Sequence, residues 1–344
     1  MQAPEFRRVI RRSAPQFTLE YAYEIQGDTV FIGLCIAQRR LYGFFEMAAD
    51  RSKQYCCCRP TMCLDGFGHD SLIMSERSLD VSREGSVVLL MMQRTTSGNA
   101  FDDVLRAQLR TALREAAEDP HVRSVVVGGA GRFFCTGADL KEASNRQVDS
   151  SVDQAELAQR TEQQIIADYK PIFELITEMP KPVIAAISGM AAGAGVSLAL
   201  ACDLKVMADD ATLMLPFSNV GLITDCGASW SLVRHLGYSR AYAAAIEADS
   251  IGARDALAHG LVNRVVPRAE VLANAMGWAT KLAERSATVL ALTKAVMRHA
   301  LEHDMLSTFD IEAKLQGLCG VSDDHREGLA AFLERRPPKF NQDR

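Results

Sequence analysis

The feature that most constrains this chain is an uncharged stretch, residues 182–202, that is interrupted by three glycines. It reads PVIAAISGMAAGAGVSLALAC, so small residues divide an otherwise apolar run. A run of this length raises the question of a membrane-spanning helix. The proline at its start and the glycines at its centre favour a buried strand, a tight turn and a buried helix instead. We therefore expect an α/β protein with a large core and no membrane span.

The composition agrees with a globular protein and excludes some classes of partner. Of 344 residues, 48% are hydrophobic and 24% are charged, which argues against a disordered, collagenous or disulfide-scaffold chain. The net charge of −5 gives no general basic field that would hold nucleic acid. We expect no nucleic-acid partner.

The cysteines bear on compartment and on metal binding. Their number is nine, which is odd, and no signal peptide is evident, so we expect a reducing compartment, the cytoplasm. Arginines near the start of the chain leave mitochondrial targeting as an alternative. A cluster over residues 56–63 offers thiolates, which are good zinc ligands. Its spacing contains no CxxC pair, and we expect no metal.

Three segments are distinguished by their patterning. Residues 1–73 show no sustained helical period, and they are either an N-terminal extension of unknown role or the product of a start placed upstream of Met74. Over residues 74–270, apolar strands alternate with helical patterns, which predicts an α/β core. Residues 271–344 read as helices alone.

Individual elements of the core follow from apolar runs and helical spacing. Helices are predicted over 100–118 and 155–177. Strands are predicted over 86–93, 123–127, 181–187, 203–208 and 211–215.

Two glycine-rich turns each follow a predicted strand. The first is GRFFCTGADL at 131–140, and the second is GMAAGAGVSL at 189–198. Each could be an ordinary tight turn. Small residues also let backbone approach a ligand closely, and the first N–H groups of a helix have no partner within it. Together the turns predict two N–H groups that bind an oxyanion, each worth about 3–4 kcal/mol.

A third stretch, FSNVGLITDCGASW at 217–230, carries a lone carboxylate, Asp225, among apolar and small residues. In a closed pocket its pKa would rise, which suits a proton shuttle. The alternative is that Asp225 caps the helix that starts near Gly227. Its neighbour Cys226 is interpreted as a small core-facing residue rather than a nucleophile.

These stretches resemble the crotonase superfamily, the enoyl-CoA hydratases and isomerases, over residues 80–340. The resemblance extends to KPVIAAISGMAAGAGVSLALACDL at 181–204, ALAHGLVNRVVP at 256–267 and REGLAAFLERRPPKF at 326–340. It implies a crotonase-type spiral of ββα units and a helical C-terminal region that builds homotrimers or homohexamers.

The resemblance also implies the ligand and its site. An acyl-CoA thioester would place its carbonyl oxygen between the N–H groups of Ala138 and Ala194. The implied CoA-binding residues are Thr136, Ala138, Asp139 and Leu140, with Lys339 and Phe340 from the C-terminal segment. No cofactor beyond the CoA moiety of the substrate is implied.

The sequence departs from the hydratases at their two glutamates, where it has Ser197 and Phe217. The stretch around Asp225 is most similar to the branch that contains the phenylacetate-pathway ring-epoxide isomerase (PaaG-like enoyl-CoA isomerases). We therefore expect a double-bond shift in an enoyl-CoA, with Asp225 moving the proton. Alternatives are an enoyl-CoA hydratase, a pathway-specific variant and a non-catalytic acyl-CoA-binding protein.

Overall fold

The computed structural model of the protein describes residues 13–14, 17–26, 29–36, 78–142 and 153–341. Contacts divide the chain into two units, Met1–Leu72 and Ile73–Arg344. The cysteine cluster over 56–63 lies outside the described residues. In the first unit, three strands form an antiparallel sheet in chain order: β1 (Ser13–Ala14), β2 (Phe17–Gln26) and β3 (Thr29–Ile36).

The second unit contains all the elements that concern the predicted site. Its strands are β4 (Leu79–Glu84), β5 (Val87–Met92), β6 (Ser124–Gly129), β7 (Phe133–Cys135), β8 (Val183–Ile187), β9 (Met190–Ala192), β10 (Leu204–Ala208), β11 (Thr212–Met214), β12 (Ile251–Gly252) and β13 (Arg264–Val266). Its longer helices are α1 (Asp103–Glu118), α2 (Gln154–Gln164), α3 (Lys170–Glu178), α4 (Ala194–Ala201), α5 (Ala228–Leu236), α6 (Tyr238–Glu247), α7 (Ala253–Ala258), α8 (Val271–Ala283), α9 (Ala287–Ala300), α10 (Met305–Gly320) and α11 (Asp323–Glu334).

From β6 to β11, successive strands alternate between two sheets, which produces a spiral. The larger sheet has the order β13-β10-β8-β6-β5-β4 and is parallel except for the β4–β5 hairpin. The smaller sheet has the order β12-β11-β9-β7, with β12 antiparallel. Pairs β6–β7, β8–β9 and β10–β11 each contribute one strand to each sheet before a helix follows. The expected α/β crotonase-type spiral is confirmed.

The core lies between the larger sheet and the helices that pack on it. Every residue of β6 and β8 is buried, as continuous apolar runs predict for central parallel strands. The uncharged stretch at residues 182–202 forms β8, β9 and α4. Among the described residues, no helix is both long and apolar enough to cross a membrane.

The predicted helix over 155–177 is interrupted. A π-helical turn, Ile165–Tyr169, separates α2 from α3, which begins with Lys170 and Pro171. Proline has no N–H to donate to the preceding turn and its ring crowds that turn, so the regular hydrogen-bond ladder cannot continue through it. Tyr169, the last residue of this turn, is buried, with only 7% of its surface exposed.

The C-terminal helices are joined to the core by a half-buried lysine on α9. Lys294 Nζ donates to the carbonyl oxygens of Ile176 at 2.8 Å and Lys181 at 3.2 Å. It also pairs with Asp203 Oδ2 at 2.8 Å. Beyond this junction, α10 and α11 expose large apolar side chains, including Phe309 and Phe332 at 65% and 79%.

Candidate active site

The two glycine-rich turns meet backbone to backbone at the ends of β7 and β9. A Cβ atom on Gly137 would lie 2.9 Å from the Ala192 carbonyl oxygen and 3.1 Å from the Ala194 nitrogen. One on Gly195 would lie 2.1 Å from the Cys135 carbonyl oxygen, a distance that no side chain permits. Glycine is therefore required at both positions, and Gly137 also has a φ of +91°.

The two predicted N–H donors flank this contact. Phe101 forms a parallel bridge with Ala138. The Phe101 N–H donates to the Gly137 carbonyl oxygen at 2.7 Å, and the Phe101 carbonyl oxygen accepts from the Asp139 N–H at 3.0 Å. The N–H of Ala138 itself is left out of that bridge. Within the described part of the chain, neither this N–H nor that of Ala194, the first residue of α4, donates to a protein acceptor. Both are free to bind a ligand oxygen.

Asp225 lies in a turn that leads from the 3₁₀ segment Ser218–Val220 into α5. Its carbonyl accepts from the Ala228 N–H at 3.0 Å, and the two residues between them have positive φ: +51° at Cys226 and +80° at Gly227. The N-cap of α5 is Gly227, with no side-chain cap. The interpretation of Asp225 as a helix cap is therefore wrong, because its carboxylate does not cap α5.

The environment of Asp225 suits a proton carrier. Its Oδ1 is buried and has no hydrogen-bond partner among the described residues. Burial raises the pKa of this carboxyl, and the adjacent Cys226 thiol opposes the rise only in part. Burial and the Asp225 charge also raise the pKa of Cys226, which keeps it a thiol and disfavours a nucleophilic role.

The two positions that carry glutamate in hydratases are both inside the fold. Ser197, on α4, is 2% exposed, and its hydroxyl donates to the Asp225 carbonyl at 3.1 Å. Phe217 is 8% exposed, and its ring lies beside Gly193, 3.8 Å from where a Cβ would stand. The second glutamate position is thus an apolar wall next to the Ala194 N–H.

A buried polar cluster that the sequence argument did not anticipate lies beside Asp225. Arg106 is 3% exposed, and its Nη1 donates to the Tyr169 hydroxyl at 3.0 Å and to the Phe101 carbonyl at 3.1 Å. The Tyr169 ring packs edge-on against Phe101. Burial raises the pKa of Tyr169 to about 12; Arg106 opposes the rise, and Cys226 and Asp225 add to it. Tyr169 is therefore a neutral hydroxyl within electrostatic reach of Asp225.

The sequence signal for this cluster was an arginine on the apolar face of α1. Position 106 falls between Leu105 and Leu109, where helical spacing predicts burial. A buried arginine needs partners, and here they include the carboxylates of Asp103 and Glu142.

The expected CoA-binding residues of the first turn lie together. The Thr136 N–H donates to the Gly98 carbonyl oxygen, and the Asp139 N–H donates to the Phe101 carbonyl oxygen, each at 3.0 Å. The Asp139 carboxylate pairs with Arg94 at 3.0 Å; burial works against ionisation, but the Arg94 hydrogen bond holds the pKa of Asp139 below its usual value. Leu140 is 60% exposed. The turn therefore presents carbonyl groups and an apolar side chain to a ligand.

Lys339 and Phe340 lie elsewhere, against α11. The Lys339 N–H donates to Glu327 Oε1 at 2.6 Å, and the Phe340 ring lies beside Gly328. Phe340 also lines a cavity of about 1120 Å³ between α9, α10 and α11. The observed contacts of these two residues are thus with the C-terminal helices rather than with the first turn.

A metal centre was not expected. In the described ranges, no group of three or more His, Cys, Asp or Glu side chains is arranged to hold a metal ion.

The spiral of ββα units and the paired turns define a protein of the crotonase fold. A solved structure of an enoyl-CoA hydratase from Polaromonas sp. JS666 matches with a TM-score of 0.71 and 32% identity, covering 76% of this chain and 99% of that one.

Sequence comparison gives the family. The model described as enoyl-CoA hydratase/isomerase matches residues 82–343, and the chain belongs to that family. The 1,2-epoxyphenylacetyl-CoA isomerase of Escherichia coli is 35% identical over 75% of this chain and 95% of its own length. A probable enoyl-CoA hydratase of Rhodobacter capsulatus is 34% identical over 78% and 99%. The relatives thus carry the names of both reactions.

Proposed function

We propose that this enzyme shifts the double bond of an enoyl-CoA, with Asp225 as the group that carries the proton. The observation that supports the proposal most strongly is the distribution of carboxylates. Asp225 is one hydrogen bond away from the helix that begins at Ala194, and its Oδ1 is buried without a hydrogen-bond partner among the described residues. The two positions at which hydratases have glutamates are occupied by a serine and a phenylalanine, neither of which activates water.

The proposed reaction begins at the thioester carbonyl. Its oxygen accepts hydrogen bonds from the N–H groups of Ala138 and Ala194, which makes the adjacent carbon more acidic. Asp225 removes a proton from that carbon, and the negative charge moves to the oxygen between the two donors. Protonated Asp225 then returns the proton at the γ-carbon, so the double bond moves from the 3,4 to the 2,3 position. Backbone donors fixed before the reaction stabilise the enolate without reorganisation.

The rest of the site supports this chemistry by excluding competing groups. Phe217 lines the oxyanion side with an apolar ring, and Tyr169 is held in place by Arg106 and kept neutral by burial, which raises its pKa. In the proposed reaction Asp225 alternates between base and acid, so a second carboxylate is not required.

The experiment that tests the function is product analysis with purified enzyme. We expect a 3-enoyl-CoA to be converted to the 2-enoyl-CoA, and a 2-enoyl-CoA to give no 3-hydroxyacyl-CoA. A 3-hydroxyacyl product without isomerisation would instead identify a hydratase that uses Asp225 to hold water. Binding of either ester without turnover would support the non-catalytic alternative.

The pH dependence should report the Asp225 carboxyl. Only its ionised form accepts the substrate proton, so kcat/KM falls as pH decreases through its pKa. Because burial raises that pKa, the acidic limb should lie above the ordinary aspartate value of about 3.9. A pH–rate profile on a 3-enoyl-CoA measures this. A limb at or below the ordinary value would show that another group supplies the base.

We extend the proposal to ligand and assembly. The CoA moiety lies along residues 136–140, and the reaction requires no cofactor beyond it. Lys339 and Phe340 contact the C-terminal helices, and in this proposal they reach CoA as part of that helical region. The exposed apolar side chains of α10 and α11 support a homotrimer or homohexamer, in which they would be covered.

A further inference from the structure

The helix that supplies one oxyanion donor also holds the base. Ala194 opens α4, and Ser197 lies three residues further along it, roughly 4.5 Å along the axis. All residues from 194 to 200 are buried. One buried helix therefore carries both the Ala194 N–H and the Ser197 hydroxyl.

The Ser197 hydroxyl is used for a tertiary contact. A serine inside a helix commonly donates to the carbonyl four residues earlier. Here the hydroxyl donates instead to the Asp225 carbonyl, 28 positions away, at 3.1 Å. The side chain is 2% exposed, so water does not compete for this bond.

The Asp225 turn has little else to fix it. Among the described residues, the other hydrogen bonds of residues 221–227 close within 217–231. Cys226 has a φ of +51°, a conformation that costs energy for a residue with a Cβ. A strained turn keeps its geometry only when its surroundings hold it, and the hydroxyl of Ser197 provides the bond to the neighbouring helix.

We propose that Ser197 is a positioning residue that fixes Asp225 relative to the Ala194 N–H. This inference rests on the proposed function, because it gives a role to the position that hydratases use for a catalytic glutamate. Proton transfer requires the base within hydrogen-bond reach of the carbon at both steps, and a displacement of about 1 Å can cost 10²-fold in rate. The bond from Ser197 sets the separation of the base from the oxyanion donor.

The test removes the hydroxyl and follows the proton. For Ser197→Ala we expect kcat to fall about 10- to 100-fold, with KM changing by no more than about threefold. In D₂O the variant should also incorporate more solvent deuterium into the product than wild type does. A base that is poorly placed for the second step stays protonated longer and exchanges with solvent. Ser197→Thr keeps a hydroxyl and should restore most of kcat.

The matched control is Ser124→Ala. Ser124 is also fully buried, and its hydroxyl donates to the Ala279 carbonyl at 3.0 Å, away from the paired turns. Its loss should lower the unfolding temperature as much as the loss of Ser197 does, while leaving kcat and deuterium content unchanged.

The outcomes separate this inference from the proposed function. Wild-type kcat and deuterium content in Ser197→Ala would overturn the positioning role while leaving the isomerase intact. Equal kinetic loss in Ser197→Ala and Ser124→Ala would show a general stability effect and would also overturn it. Full activity in Asp225→Asn would remove the proposed function itself.

Discussion

Replacing Asp225 with asparagine should reduce isomerase kcat by about 10²–10⁴-fold, the range that a placed proton-transfer group contributes. The amide keeps the shape of the carboxylate but cannot take the proton. The measurement is the rate of 2-enoyl-CoA formation from a 3-enoyl-CoA. The control is Asp209→Asn, which changes an exposed carboxylate in the turn after β10. A variant at Asp225 that retains more than a tenth of wild-type activity would contradict the assignment.

The same substitution should leave the fold as stable as wild type or more so. The folded-state pKa of Asp225 is raised by burial, so the native state binds its proton more readily than the unfolded chain does. The stability from this group is therefore greatest at low pH and is lost as pH rises through the folded pKa. At neutral pH the buried charge is a cost that asparagine removes. A lower unfolding temperature together with lost activity would indicate a structural role instead.

Replacing Ala194 with proline should abolish the second oxyanion donor and leave the helix intact. Proline has no N–H, and its ring carbon would stand where the thioester oxygen is expected. Loss of one such donor typically costs about 10²–10³-fold in kcat. Position 194 is the first of α4, where proline is favoured, and the preceding Gly193 is outside the helical region that a following proline disfavours.

The matched control for this variant is Ala253→Pro. Ala253 is likewise a buried alanine that opens a short helix after a glycine, on α7. The two variants should show comparable circular dichroism, while only Ala194→Pro loses turnover. Ala194→Gly, which keeps the N–H, should remain active. Turnover in Ala194→Pro near the wild-type level would exclude the Ala194 N–H from the reaction.

Apolar periodicity predicts most of the large sheet but little of the small one. Apolar runs predicted β5, β6, β8 and β10, most of whose residues are buried. The strands β7 and β9 have only three residues each and lie inside the glycine-rich turns, so they are too short for any periodicity. Their pairing is set by contacts such as that between Gly195 and the Cys135 carbonyl, which join distant parts of the chain.

The candidate site was likewise only partly predictable from the sequence. Asp225 and the two turns could be singled out because their residue types are unusual for their surroundings. Arg106 and Tyr169 are 63 positions apart and meet because the fold packs the turn that ends at Tyr169 against α1. Position 197 was recognised as a departure from the hydratases, but its bond to Asp225 was not predictable, since a serine hydroxyl has several possible acceptors.

By itself, the sequence determined the alternation of buried strands and helices, the two glycine-rich turns and the lone carboxylate, Asp225, in the stretch 217–230. These properties depend on local composition and spacing. The tertiary structure decided which backbone N–H groups stay free, which helix holds the Asp225 turn and which buried hydroxyl faces the base. Those depend on long-range packing, in which a residue's partner is chosen by the fold rather than by its neighbours in the chain.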